Sequence, residues 1–318
     1  MFVFKGGMRS GRDMNASWQI ATTVKASPDA IYRFVAHHIS AGASAIDVYL
    51  DDPADDRLSE LRSHPAVRYI ECDESYWLSE RRDRPSSHVE RQIHNASRSY
   101  RGARCNWLAH IDVDEFLFTD QELSRILADV PESTSALRIR PVELLHGQAT
   151  LDGLKVSYFK RPVRGKALAT GVLNDVYPTF GKYLKTGLIS HRQGKAIART
   201  GQDVRRFGIH RFRPKSGVLE HPTLDDVSLA HYHTDGFDDF LRQLERRLDT
   251  GSYRADTDQN NLLRSMMEGP DLDLLRAFFS EVCSASHATI ARLEKHDLIE
   301  IWYVDFDAQT QNVFGDVG

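Results

Sequence analysis

Cysteine is scarce in this 318-residue chain: Cys72, Cys105 and Cys283 are three, an odd number, and far apart. That excludes a disulfide framework or a zinc knuckle, and reduced core thiols point to a cytoplasmic compartment. No run approaches the roughly 20 apolar residues of a membrane span, so the sequence predicts no transmembrane segment. A lipid-linked partner would be met by peripheral membrane contact. Neither sign of charge dominates, with 41 Lys and Arg against 45 Asp and Glu, which argues against a protein that coats nucleic acid. Internal repeats and low-complexity tracts are absent. The opening "MFVFKGGMRSGRD" is too short in apolar residues for a signal-peptide core, and residues 1–16 are expected to form a flexible leader.

What is present is globular: 41% hydrophobic and 27% charged residues, enough for a large α/β domain. "WQIATTVK" reads as a strand. "SPDAIYRFVAHHISAG" follows as a helix, with Ser27 as N-cap, Pro28 in the first turn, Ile31, Phe34, Val35 and His38 on one face, and Gly42 as stop. "AIDVYL" and "VRYIEC" give the next strands. "SHVERQIHNASRSY" opens with a capping-box pattern, Ser87 to Glu90, and "NWLAHIDV" reads as a fourth strand. "ALRIRPV" is another. Strands alternating with helices imply right-handed crossovers and a mainly parallel sheet. Between Lys160 and Lys215, 14 Lys and Arg face only Asp175 and Asp203. "LAHYH" then reads as a strand, "DGFDDFLRQLERRLDTG" as a helix ending at Gly251, and residues 258–300 as two or three more helices.

The stretch "WLAHIDVDEF" sets two carboxylates behind an apolar run. Read as a strand, it places Asp112 and Asp114 on one face, about 7 Å apart. Ligands of open α/β sheets gather at the carboxyl ends of strands, and Asp51 and Asp52 end their own strand likewise. A hard cation such as Mg²⁺ or Mn²⁺ is held by one or two carboxylates plus substrate phosphates. The plain alternative pairs Asp112 with an arginine and lets Asp114, with Glu115, begin a solvated turn.

"TTVK", "AHHISAGASAIDVYLDD", "ERQIHNA", the Asp-x-Asp block, "GKAIAR", "GIHR" and "LAHYH" stand in this order between about residues 18 and 245. In this the chain resembles the family 2-like glycosyltransferases of the GT-A fold, in the branch close to glycosyltransferase family 92. The resemblance implies an α/β fold of GT-A type, with a nucleotide-binding half (17–118), an acceptor half (119–250) and a C-terminal helical extension (251–318). It implies a hexosyltransferase moving a sugar, with inversion, from a nucleotide-sugar donor such as a uridine diphosphate hexose to a saccharide or lipid-linked acceptor in polysaccharide biosynthesis.

The same resemblance gives Asp112 and Asp114 to the ribose and the diphosphate-bound Mn²⁺ (or Mg²⁺), with His231 completing the metal shell. It sets Thr22, Lys25, Asp51 and Asp52 beside the nucleotide, and Lys195 and His210 beside the diphosphate. Two departures stand out. "VKASPD" replaces the family's Lys-Asn-Glu, and "RPVELLHG" replaces its Phe-Gly segment, so acceptor identity does not carry over.

Other candidates rest on position. Arg199 and Arg211 belong to the basic segments that would neutralise a departing diphosphate, with a solvated basic surface as the alternative. Arg91 and Gln92 precede the Asp-x-Asp strand, and Arg91 either touches diphosphate or pairs with an acid. His233 shares the face of His231. The general base for the acceptor hydroxyl is assigned to Glu143, with Asp235 as runner-up. Two rival classes remain: an aspartate-based phosphotransferase or hydrolase with Asp112 as nucleophile and Asp114 as acid, and a nucleotide- or glycan-binding protein without turnover.

Overall fold

The computed structural model describes residues 15–52, 56–151, 154–190, 192–216, 221–249, 257–269 and 271–316. The leader up to residue 14 and the helix stop at Gly251 lie outside them. The first part alternates β1 (Trp18–Val24), α1 (Pro28–Ser40), β2 (Ala45–Leu50), α2 (Ser59–Ser63), β3 (Val67–Glu71), α3 (Glu74–Ser79), α4 (His88–Arg101) and β4 (Trp107–His110). The second contains β5 (Glu115–Phe118), α5 (Leu123–Ala128), β6 (Ala136–Leu151), β7 (Leu154–Lys160), α6 (Lys166–Val176), β8 (Lys195–Arg199), β9 (Val204–Phe207), β10 (Phe212–Pro214), β11 (Thr223–His231) and α7 (Phe237–Asp249). The chain continues through α8 (Asp258–Glu268), α9 (Leu272–Phe278), α10 (His287–Lys295), β12 (Ile299–Trp302) and α11 (Phe306–Phe314).

The fold is α/β, with helices packed on a central sheet. Strands run in the order β12-β7-β6-β8-β4-β1-β2-β3, and β11 pairs with β5 and β6. β3, β2, β1 and β4 are mutually parallel, as their helical crossovers require. β8 enters antiparallel between β4 and β6, and β11 lies parallel to β6. The β9–β10 hairpin stands apart.

Local chemistry starts and stops the helices as expected at α1. Ser27 Oγ accepts from the Ala30 N–H, Pro28 occupies the first turn, and Gly42 ends the helix at φ +93°. Ile31, Phe34, Val35 and His38 are all buried in the main core between α1 and the sheet. At α4 the capping box does not form: Ser87 sits at the N-cap without a side-chain hydrogen bond. The buried face of α4 is instead polar, carrying Arg91, Asn95, Ser97 and Ser99 beside Ala96 and Tyr100. Such a face is tolerated because each group finds a partner. Asn95 accepts from the Tyr76 hydroxyl (2.6 Å) and donates to Thr23 Oγ1 (3.0 Å).

The C-terminal segment is more than a helical extension. β12 pairs antiparallel with β7 and extends the sheet, while Phe306 and Phe314 of α11 pack against the main core. A second core joins α6 to α10 around Leu173, Phe240, Phe278 and Val282.

Gly194, just before β8, has φ +66°, and a Cβ there would lie 2.0 Å from the Ile139 carbonyl oxygen. Only glycine meets both demands. Gly194→Ala is therefore expected to lower stability by at least about 2–3 kcal/mol, readable as a fall in the urea midpoint. An unchanged midpoint would contradict the close approach of the two backbones.

Candidate functional site

β4 ends at His110, and residues 111–114 form a turn rather than more strand. The expected alternation of Asp112 and Asp114 along a strand is thereby corrected. The turn closes through the Glu115 N–H donating to the Asp112 carbonyl (3.0 Å), and the Asp112 N–H donates back to Glu115 Oε2 (2.8 Å). Glu115 is fully buried at the start of β5. Lys195, equally buried at the start of β8, places Nζ 2.6 Å from Asp112 Oδ2 and 3.3 Å from Glu115 Oε2. Gln92 of α4 donates to Asp112 Oδ1 (2.8 Å). Burial alone would push the Lys195 ammonium down; Asp112 and Glu115 overcome it and hold the pKa above the usual lysine value. Both Asp112 oxygens are thus engaged, which weighs against Asp112 as a covalent nucleophile.

Asp114 points elsewhere. Its side chain is 44% exposed, and Oδ2 lies 3.2 Å from His231 Nε2 at the end of β11. Burial would raise this carboxyl, yet the His231 charge and hydrogen bond keep it below its usual range. His231 is shifted oppositely: burial lowers it and Asp114 raises it further. His233, past the strand end, turns to Glu143, with Nε2 3.9 Å from Oε1, and burial pushes its pKa down to about 3. The two histidines therefore serve different acids.

Among the described residues no three His, Cys, Asp or Glu side chains converge as a metal cage. Of the metal set read from the sequence, Asp112, Asp114 and His231, Asp112 is paired with Lys195. Asp114 and His231 supply one oxygen and one nitrogen side by side, with the carboxylate open on one flank. That pair fits a divalent ion that brings its remaining ligands as diphosphate oxygens and water.

The other predicted residues separate into two groups. Asp51 is buried and takes a bidentate fork from Arg91 (2.7 and 2.6 Å), with Arg84 adding a third donor at 3.1 Å. Arg91 also donates to the Pro85 and Ser86 carbonyls, so it fixes the loop before α4, and of the two readings of this residue the structure contains the ion pair with a distant acid. Asp52 and Lys25 are exposed and pair at 3.1 Å. Thr22 is buried at the centre of β1, and its hydroxyl has no partner among the described residues. Beside these strand ends lies a cavity of about 690 Å³ bordered by Asp51, Asp52, Asp73, Trp77, Arg82 and Arg84. His210 Nδ1–H donates to the Gly194 carbonyl (2.8 Å), so it braces the turn leading into β8.

Three predictions fall away from the site. Glu143, read as the general base, is fully buried, 2.9 Å from Lys160 Nζ, and accepts from the Ile189 and Ser190 N–H groups. Against the upward push of burial, Lys160 holds its carboxyl well below the usual range. A carboxylate so satisfied is a weak base out of reach of any acceptor hydroxyl. Asp235 is exposed, its N–H donating to Asp239 at the start of α7. Arg199 stacks 4.4 Å over Trp107 and donates to the Val130 and Thr134 carbonyls, at the far end of β8 from Lys195.

Sequence reasoning missed Glu115 and Lys160. Each is a charged residue at the end of a strand and next to apolar neighbours: Glu115 opens "EFLF" and Lys160 closes "LKVSYFK". That pattern itself signals a buried partner.

No family model matches the chain, and no curated protein matches it. Solved structures do. A mannosyltransferase from Pyrobaculum calidifontis in complex with GDP-Man and Mn²⁺ aligns over 89% of this chain and 80% of its own, at 10% identity and a TM-score of 0.36. The bifunctional glycosyltransferase WbbM aligns over 62% of this chain and 33% of its own, at 16% identity and 0.26. The mannosyltransferase Ktr4p of S. cerevisiae aligns over 57% and 50%, at 11% and 0.27.

Proposed function

We propose that this chain is a metal-dependent glycosyltransferase of the GT-A type. The donor is a nucleotide sugar, a uridine diphosphate hexose in the first instance, and the acceptor is a hydroxyl of a saccharide or a lipid-linked saccharide. The reading is carried by one observation: a half-open carboxylate, Asp114 with His231, sits on a turn whose other acid is locked by a buried lysine. A nucleoside in the 690 Å³ cavity at the ends of β2 and β3 would lie beside strands β1 and β4, so its diphosphate would extend toward that turn. Mn²⁺ or Mg²⁺ held there would supply charge stabilisation to the departing diphosphate. Asp112 and Lys195 hold the turn rigid, and Asp51, clamped by Arg91 and Arg84, presents a fixed edge to the nucleoside.

A panel of uridine and guanosine diphosphate sugars with Mn²⁺ tests the reading. One donor is expected to release nucleoside diphosphate slowly without acceptor, and chelation to stop it. Asp114→Ala is expected to lower that rate at least about 100-fold with an unchanged thermal unfolding curve. Turnover equal to wild type would reject the assignment, and a nucleotide-induced rise in Tm without hydrolysis by any donor would mark a binding protein instead.

A further inference from the structure

Arg138 and Arg140 leave β6 on one face, two residues apart. Arg138 is partly buried, and its Nε is shielded from solvent with no hydrogen-bond partner among the described residues. Arg140 sends Nε and Nη2 to a neutral group, the Thr223 hydroxyl (3.1 and 2.7 Å). Burial pushes the Arg138 guanidinium down, and Arg211 and Arg140 press it further in the same direction. Arg211 is brought to this edge by the backbone: the N–H of the next residue, Phe212, donates to His221 Nε2 (3.3 Å), and the Arg138 N–H donates to the Pro222 carbonyl (2.8 Å).

The cluster adjoins a cavity of about 450 Å³ lined by Arg140, Arg161 and Arg164. An irregularity in β11 borders it: Thr223 pairs with Arg138 and Ser228 with Arg140, so residues 224–227 have no partner opposite on β6. The acids there are already committed. Glu300 and Asp297 hold Arg161 at 2.8 and 3.6 Å, and Asp225 lies 3.9 Å from Arg164. Arg138, Arg140 and Arg211 form no ion pair with a described carboxylate.

Guanidinium groups that meet no acid among the described residues repel one another and suit an oxyanion, which their planar forks bind bidentately. One carboxylate answers one fork; several forks together suit a group of higher charge with three or more acceptor oxygens. We propose that Arg138, Arg140 and Arg211, with Arg140 on the adjoining cavity, form a binding site for a phosphate group, separate from the Asp114–His231 pair. The phosphate belongs to a soluble phosphate ester or to a lipid headgroup. The proposal does not depend on the transferase reading, since it uses none of the groups assigned to the donor or the metal.

Titration calorimetry of the full chain with inorganic phosphate, at low ionic strength and with EDTA present, tests it. Wild type is expected to bind, and the pair Arg138→Gln with Arg140→Gln to bind at least tenfold more weakly. Arg140→Lys keeps the charge and should fall between, which separates loss of the site from loss of the fold. Asp114→Ala should bind as wild type does. Flotation with vesicles of phosphatidylcholine with or without phosphatidic acid identifies the source: binding that requires phosphatidic acid points to a headgroup, and binding of free phosphate alone points to a soluble ester. Absence of both, full binding by the double variant, or loss of binding in Asp114→Ala would overturn the proposal.

Discussion

Lys195→Met is expected to remove about 3–5 kcal/mol of folding stability, a large share of what a domain of this size possesses. The reason is the two acids left behind. Glu115 is fully buried and Asp112 only 31% exposed, so without the ammonium two neighbouring carboxylates would repel each other in a poorly hydrated setting. Urea unfolding of wild type and variant measures the effect. Adding Glu115→Gln to Lys195→Met should recover part of the loss, because the buried negative charge is then gone while Asp112 keeps Gln92 as a donor. A loss below 1 kcal/mol would mean that water reaches the network and that the turn is not held as described.

The second large effect belongs to the other buried pair. Lys160→Met is expected to cost about 3–5 kcal/mol, since Glu143 would remain charged, fully enclosed and supported only by the backbone N–H groups of Ile189 and Ser190. Glu143→Gln should cost a comparable amount, about 3–5 kcal/mol, because an amide can still accept from those N–H groups but leaves the buried Lys160 ammonium without its counter-charge. The pH dependence follows from the direction of the shift. The Glu143 pKa is lower in the folded chain than its ordinary value of 4.5, so its contribution is complete above that pH and is lost as the solution is acidified below it. Wild type should therefore lose stability below about pH 4.5 more steeply than Glu143→Gln. Parallel curves would show that the pair does not govern acid sensitivity.

Much of the frame was legible from periodicity. The alternation of β1, α1, β2 and β3 followed from apolar spacing and from Ser27, Pro28 and Gly42, all of them local signals. The parallel order of the first strands followed from the crossovers. What local signals could not reveal was partnership across the chain. Lys195 lies 83 residues from Asp112, and nothing near either says that the two meet. Arg91 and Asp51, 40 residues apart, were each visible as candidates, yet only the fold shows that one neutralises the other. Glu143 misled for the same reason: it follows "ALRIRPV" and looks accessible there, whereas β6 runs on to Leu151 and its pairing with β7 sets Lys160 beside it. The Asp-x-Asp turn deceived through composition, since "HIDV" alternates like a strand while the Glu115 side chain captures the Asp112 N–H and bends the backbone.

One joint has a bearing on how such a chain is inherited. The Lys160 ammonium donates to the Val282 carbonyl (2.7 Å), in the π-helical turn Phe279–Cys283 after α9, and the Ala285 N–H donates to the His146 carbonyl. The tail therefore supplies hydrogen-bond partners to the interior of the sheet half. Swapping tails between distant homologues, or shortening this one near residue 250, would unbalance a charge more than a hundred positions upstream. The middle of the chain and its tail therefore form one unit of stability.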